Sequence, residues 1–225
     1  MHKLFLDIET LPAPKESEDV LKILFEKKRA KSNEKQIEEM RFEEFVSKTS
    51  FDGAYGRILC IAYAVDDRKT EVLCNDTDER KTLAEFWDLV RTLSVQPKSV
   101  QYPDYGLMFI GHNVMDFDLR FIYQRSVVLG VRPAYEINFA RYRSYPIYDT
   151  MKEWVKWSNS TVGLEYLALA LGIPSPKDDI DGSQVATQYA AGKLQDILEY
   201  CKRDVETTRK VYQRMVFENE KTTLF

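Results

Sequence analysis

Apolar positions along the chain follow two rhythms, one of strands and one of helices. Leu4-Phe5-Leu6 and Ile8 make a dense apolar segment broken only by Asp7 and Glu9, so Lys3 to Glu9 is predicted as a strand ended by Leu11-Pro12-Ala13-Pro14. Arg57 to Val65 is almost wholly apolar, as in a buried strand, and Thr70 to Cys74 returns after a polar turn, Asp66-Asp67-Arg68-Lys69. These three strands predict a meander. The period then changes to that of a helix: Thr77 or Asp78 caps a segment through Leu93 with Leu83, Phe86, Trp87 and Val90 on one face. Leu107 to Gly111 is a fourth strand. Asp118 to Gly130 is a helix with Leu119, Ile122, Tyr123 and Val127 turned inward, and Pro146 to Asp149 a short fifth strand. The rest is helical in pattern: Met151 to Trp157, Val162 to Leu171, Ser183 to Tyr189, and a long segment from Lys193 to Glu218. Strands mixed with helices and closed by a helical tail predict an α/β fold, a mixed central sheet of about five strands flanked by helices.

Residues 15 to 50 break this order. They are densely and evenly charged and lack glycine, with helical-period apolar points at Val20, Leu21, Leu24 and Phe25 and again at Ile37, Met40, Phe45 and Val46. One or two helices inserted after the first strand are expected. Because the insertion starts just beyond Glu9, two readings stand: a guide for a substrate strand with Lys27-Lys28-Arg29-Ala30-Lys31 as its basic edge, or a solvated hairpin supported by i,i+4 ion pairs.

At 225 residues the chain is expected to form one domain, 1–225, carrying that insertion. A net charge of −4 argues against coating duplex nucleic acid by bulk electrostatics. Cys60, Cys74 and Cys201 are odd in number and widely spaced, which suits reduced core residues of a cytoplasmic protein. No apolar run is long enough to span a bilayer, so no membrane association is expected. Dinucleotide-binding, P-loop and nucleophile-elbow motifs do not occur.

Acids in awkward places carry the candidate chemistry. In a strand, Asp7 and Glu9 project from the same face; in a helix, Tyr200 and Asp204, four apart, share one. Like charges brought together need a neutraliser, and for oxygen ligands that is Mg²⁺ or Mn²⁺. With His2 and His112 the only histidines, a histidine-based metal cage or catalytic triad is excluded.

The pattern Asp7-x-Glu9, Asn113-x-x-x-Phe117-Asp118 and Tyr200-x-x-x-Asp204 resembles the three exonuclease motifs of the DEDD superfamily of 3′-to-5′ exonucleases, in its tyrosine branch. The motifs occur in order and span nearly the whole chain. Gly111-His112-Asn113, Asp149-Thr150-Met151 and the stretch from Pro176-Lys177 to Asp181-Gly182-Ser183 are similar to stand-alone bacterial proteins related to the exonuclease domain of family B DNA polymerases. The resemblance implies a ribonuclease H-like fold and a metal-dependent hydrolase that releases nucleoside monophosphates from single-stranded 3′ ends of nucleic acid, DNA before RNA. It implies two Mg²⁺ or Mn²⁺ ions: one on Asp7, Glu9 and Asp204, the other bridged by Asp7 and reached by Asp118 largely through water. The histidine of the sister branch would stand at Glu199, whereas Tyr200 occupies the tyrosine-branch position and would orient the attacking water. A nucleic-acid-binding module that keeps the fold without the reaction is the alternative from a different class.

The same resemblance assigns Asn113 and Phe117 to the terminal nucleotide and Thr10 and Leu11 to the last sugar and base. Asp116 competes with Asp118, but the spacing selects Asp118 and leaves Asp116 as a helix-start residue. Phe139 to Tyr145 interleaves Arg141 and Arg143 with aromatics, which suits unpaired bases and phosphates or simple packing on the domain. His112 reads as a structural hydrogen-bonding residue; Asp149, Lys177 and Asp181 read as structural or as the edge of the site.

Overall fold

The computed structural model describes residues 1–31, 39–94, 106–174 and 182–218. Its centre is a ten-residue strand, β1 (His2–Leu11), paired on both sides. β2 (Arg57–Val65) runs antiparallel to it and is followed by the short antiparallel β3 (Glu71–Leu73). On the other side β4 (Leu107–Gly111) and β5 (Ile147–Asp149) lie parallel, so the order is β3-β2-β1-β4-β5 and the sheet is mixed. This is the five-stranded α/β sheet expected from the pattern, although β3 is shorter than the predicted Thr70 to Cys74. The register of β1 against β2 slips between Glu9 and Thr10, a bulge that re-aims the end of the strand.

Strand alternation gives β1 two different faces. Leu4, Leu6 and Ile8 pack with Leu83, Phe86, Trp87 and Val90 of α3 (Glu79–Ser94) and with Leu119, Phe121 and Ile122 of α4 (Asp118–Leu129). Phe5 points the other way, to Cys201, Val205 and Tyr212 of α8 (Leu194–Met215). Between α4 and α8 the chain forms α5 (Thr150–Trp154), α6 (Leu164–Ala170) and α7 (Val185–Ala190). Among the described residues, no helix is long and apolar enough to cross a membrane.

The predicted inward face of α4 needs correction. Leu119 and Ile122 are buried, but Tyr123 is 50% and Val127 61% exposed, and Arg125 and Ser126 go inward instead. Polar partners explain the rotation. Ser126 Oγ accepts the Trp87 indole N–H at 2.8 Å, and the Arg125 guanidinium makes two 2.8 Å bonds to the Glu79 carboxylate. That carboxylate also accepts the Ile58 backbone N–H, so the buried charge pair is hydrogen-bonded on both sides. Four predicted helices also differ in extent: α5 stops at Trp154, ahead of Lys156 and Trp157 in left-handed backbone, α6 occupies Leu164–Ala170, α7 starts at Val185, and α8 ends at Met215.

Within residues 15–50 the chain forms α1 (Glu18–Lys31), α2 (Phe42–Ser47) and a 3₁₀ turn at Lys48–Phe51. Leu21 and Phe25 are buried, with the Phe25 ring 5.6 Å from Phe42 and 5.3 Å from Phe45, while Val20 is exposed. Ile37 lies outside the described residues. Lys28 and Arg29 of the basic edge lie over the Phe45 and Phe25 rings of their own hairpin, and Lys22–Glu18 and Lys48–Glu44 are i,i+4 pairs.

Candidate active site

The site lies where the α8-facing side of β1 runs out of apolar residues. Phe5 is the last of these, and the next two side chains on that face are Asp7 and Glu9. Glu9 sits opposite Cys60 of β2 and is 8% exposed. From α8, Tyr200 and Asp204 reach the same place, and the Tyr200 phenol hydrogen-bonds the Asp204 side chain. Asp118, the first residue of α4, arrives from the far side of the strand and accepts the Ile8 backbone N–H at 3.0 Å. Three elements distant in sequence thus bring Asp7, Glu9, Asp118 and Asp204 within electrostatic reach of one another.

Their protonation reflects that crowding. Burial, then the Asp118, Asp204 and Glu9 carboxylates, hold the Asp7 pKa well above the usual range; burial, Cys60 and the Asp204 and Asp118 carboxylates do the same to Glu9. Asp118 is pushed up to about 7 by burial, against the pull of its own backbone N–H and that of Ile8, with Asp149 adding to the rise. Burial and the neighbouring acids Asp204, Glu9 and Asp7 raise the Tyr200 pKa too, so its phenol keeps its proton at any physiological pH. Buried carboxylates that resist ionising when alone form the donor set that a hard divalent cation neutralises.

Cys201 belongs to this site as well. Its Sγ is 3.4 Å from Asp7 Oδ2, and ligand atoms of Asp7, Glu9 and Cys201 lie within 4.8 Å of one another. The sequence reading took it for a core residue. Its place three residues before Asp204 on a helix was the available signal.

A second acid positions the middle motif. Asp149, 1% exposed, accepts the backbone N–H groups of Asn113, Met151 and Lys152 on Oδ1 at 3.0–3.1 Å and that of Met115 on Oδ2 at 3.0 Å. It therefore caps α5 and fixes the turn in which Asn113 takes a left-handed φ of 61° on the way to Asp118. His112 bridges Thr150 Oγ1 and the Val162 carbonyl at 2.9 and 2.8 Å, a structural role. Asp116 pairs with Lys152 and Arg120, away from the acids.

The proposed substrate contacts are less concentrated. Thr10 donates its hydroxyl to the Ser50 carbonyl at 2.7 Å. Leu11 is buried with Leu59, Val185 and Ile197. Phe117 is half-buried between Phe51 and Phe121. Arg141 and Arg143 stand exposed on the loop before β5, with Arg143 lining a cavity of about 680 Å³ beside Phe139 and Tyr145. Lys177 and Asp181 lie outside the described residues.

Comparison with known proteins gives this geometry a lineage. A family model described as "Predicted 3'-5' exonuclease related to the exonuclease domain of PolB" matches residues 52–224. The chain belongs to that family. The match contains Asp118, Tyr200 and Asp204 and starts after Asp7 and Glu9. Among solved structures, this PolB-related exonuclease is similar in fold to a family B DNA polymerase from the hyperthermophilic archaeon Pyrobaculum calidifontis, with a TM-score of 0.62 at 15% identity. The likeness covers 96% of this chain but only 24% of the polymerase, so the chain spans about a quarter of that protein's length. The fold is that of the polymerase's ribonuclease H-like exonuclease domain. No curated protein matches.

Proposed function

We propose that the chain works as one exonuclease domain of the tyrosine branch, with residues 15–50 as an appended helical pair. It removes nucleoside monophosphates from single-stranded 3′ ends, DNA in preference to RNA. The observation that carries this reading is the convergence of Asp7, Glu9, Asp118 and Asp204 at one end of β1, with a protonated tyrosine beside them. The likeness to a DNA polymerase supports DNA as the substrate, and three free cysteines support a reducing, cytoplasmic setting.

Asp7, Glu9 and Asp204 would hold one Mg²⁺ or Mn²⁺, and Asp7 with Asp118 a second. When bound, such ions polarise a phosphodiester, lower the pKa of water and neutralise a leaving oxygen. The chain's residues do the rest. Tyr200, whose phenol cannot ionise here, is no general base; it donates to Asp204 and leaves its oxygen lone pairs to accept from the attacking water and set its direction. Asp118, anchored by the Ile8 N–H, presents its other oxygen to the site. The test is incubation of purified protein with 5′-labelled single-stranded DNA and RNA, with Mg²⁺, with Mn²⁺ and with EDTA. Stepwise shortening from the 3′ end of DNA, abolished by EDTA, is expected. No shortening with either ion, or internal cleavage, overturns the reading, and faster shortening of RNA overturns the choice of DNA.

A further inference from the structure

An aromatic ring stands exposed beside the site where nothing in the fold requires it. Phe51 closes the 3₁₀ turn at the end of the inserted segment, is 70% exposed, and lies 6.3 Å centroid to centroid from the Phe117 ring. Phe117 in turn is 5.6 Å from Phe121, so the rings form a short aromatic wall that ends in solvent at Phe51. Between this wall and the outer side of α4 is a cleft of about 170 Å³, room for one planar ring system.

The backbone that presents Phe51 is fixed. Ser50 is tied to β1 by the Thr10 hydroxyl, Thr49 Oγ1 accepts the Ala13 N–H at 2.8 Å, and Arg125 donates to the Gly53 and Ala54 carbonyls at 3.3 Å. Two glycines allow this close approach. A Cβ on Gly56 would sit 2.3 Å from the Thr49 carbonyl oxygen, and one on Gly53 2.5 Å from Gln124 Oε1. A large apolar ring on a pinned loop that does not fold back into the core is a surface prepared for a partner, and ordering costs on binding are small because the loop is already ordered.

The chemistry of the rim selects the partner. Asp52 and Asp116 both line the cleft, and carboxylates repel a phosphate. A neutral heterocycle is different. It stacks on the rings, and the Gln124 amide offers a donor and an acceptor to its edge. The location fits a strand engaged by the acids, because Ser50 is bonded to the residue following Glu9 and Phe117 is the residue preceding Asp118.

We propose that the cleft bounded by Phe51 and Phe117 is a nucleobase subsite, with Phe51 from the inserted segment as a stacking platform for a base near the 3′ end of the bound strand. It rests on the exonuclease reading and names a contact that the three motifs do not include. Loss of one stacked base corresponds to roughly 5- to 150-fold in binding. In the full chain, Phe51→Ala should raise KM for single-stranded DNA by that factor, with a melting temperature close to wild type because the ring is exposed, and Phe51→Trp should restore it. A strand with abasic sites at its three 3′-terminal nucleotides should cost the wild type a similar factor and cost Phe51→Ala little more. Binding is read separately by quenching of 2-aminopurine placed at those nucleotides, which needs no turnover. An unchanged KM in Phe51→Ala, or equal losses on intact and abasic strands by both proteins, overturns the subsite. Quenching that needs Phe51 in a protein without nuclease activity would keep the subsite and end the exonuclease reading; absence of quenching by the wild type ends the subsite whatever the activity.

Discussion

Replacing Asp149 by Asn keeps size and shape but changes one acceptor into a donor. Three backbone N–H groups converge on Oδ1 and one, from Met115, on Oδ2, with both Met115 and Asp149 buried. An Asn that keeps its oxygen toward the three must turn its amide N–H toward the fourth. That removes one charge-assisted bond, about 1.5 to 3 kcal/mol, and leaves a buried N–H facing another donor, about 1 to 3 kcal/mol more. Part is recovered because the carboxylate is itself uncomfortable: burial raises its pKa in spite of the four donors. A net loss of roughly 2 to 3 kcal/mol lowers Tm by about 4 to 12 °C in a chain of this size. The turn carrying Asn113 then loosens, and Asp118 with it. A shift of about 1 Å at the reacting groups costs on the order of 10²-fold, so turnover measured well below both melting temperatures should fall by about that factor. The assay is thermal melting by circular dichroism beside exonuclease kinetics at 20 °C or below (roughly half the usual Tm of such domains). An Asn variant that melts with the wild type and cleaves at its rate would show that the four bonds neither hold the turn nor position Asp118.

Two further outcomes follow from the site. The raised carboxyl pKa values mean that the ion-free fold binds more protons than the unfolded chain, so its stability is fully present below about pH 4 and is lost as pH rises through the value of about 7 at Asp118; Tm in EDTA should fall between pH 5 and 8 while the upward shift produced by Mn²⁺ grows, and a flat EDTA profile would refute the crowding. Tyr200→Phe removes a hydroxyl and no ligand, so turnover should drop by roughly 10² to 10⁴ with the Mn²⁺-induced rise in Tm retained, whereas Asp204→Asn should lose both; wild-type turnover in Tyr200→Phe would make the tyrosine structural.

How legible all this was depends on the kind of signal. Period-two and period-3.6 patterns are written into the chain by burial, so the five strands, the apolar face of α3 and the shared faces of Asp7 with Glu9 and Tyr200 with Asp204 could be read directly. The face of α4 could not. Tyr123 and Val127 look like core residues until Glu79 and Trp87, some forty residues away, are known to receive Arg125 and Ser126. Buried polar pairing over that distance leaves no local period. Cys201 was missed for a related reason: a cysteine in an apolar context reads as packing, and only the fold brings its sulfur against Asp7. The four donors on Asp149 are backbone groups, which sequence does not spell at all.

The acids of the site stand on the strand that is hydrogen-bonded along both edges, to β2 and to β4. In hydrogen-exchange terms such amides open only with the whole domain, so Asp7 and Glu9 share the slowest-opening part of the molecule. Their mutual repulsion is therefore borne by the global fold and cannot be relieved by local fraying. Stripping the ions should leave the carboxylates where they are, and restoring the ions should return activity without a refolding phase. A protein built this way tolerates swings in metal supply as an on-off condition of the chemistry, with no conformational memory of the interval.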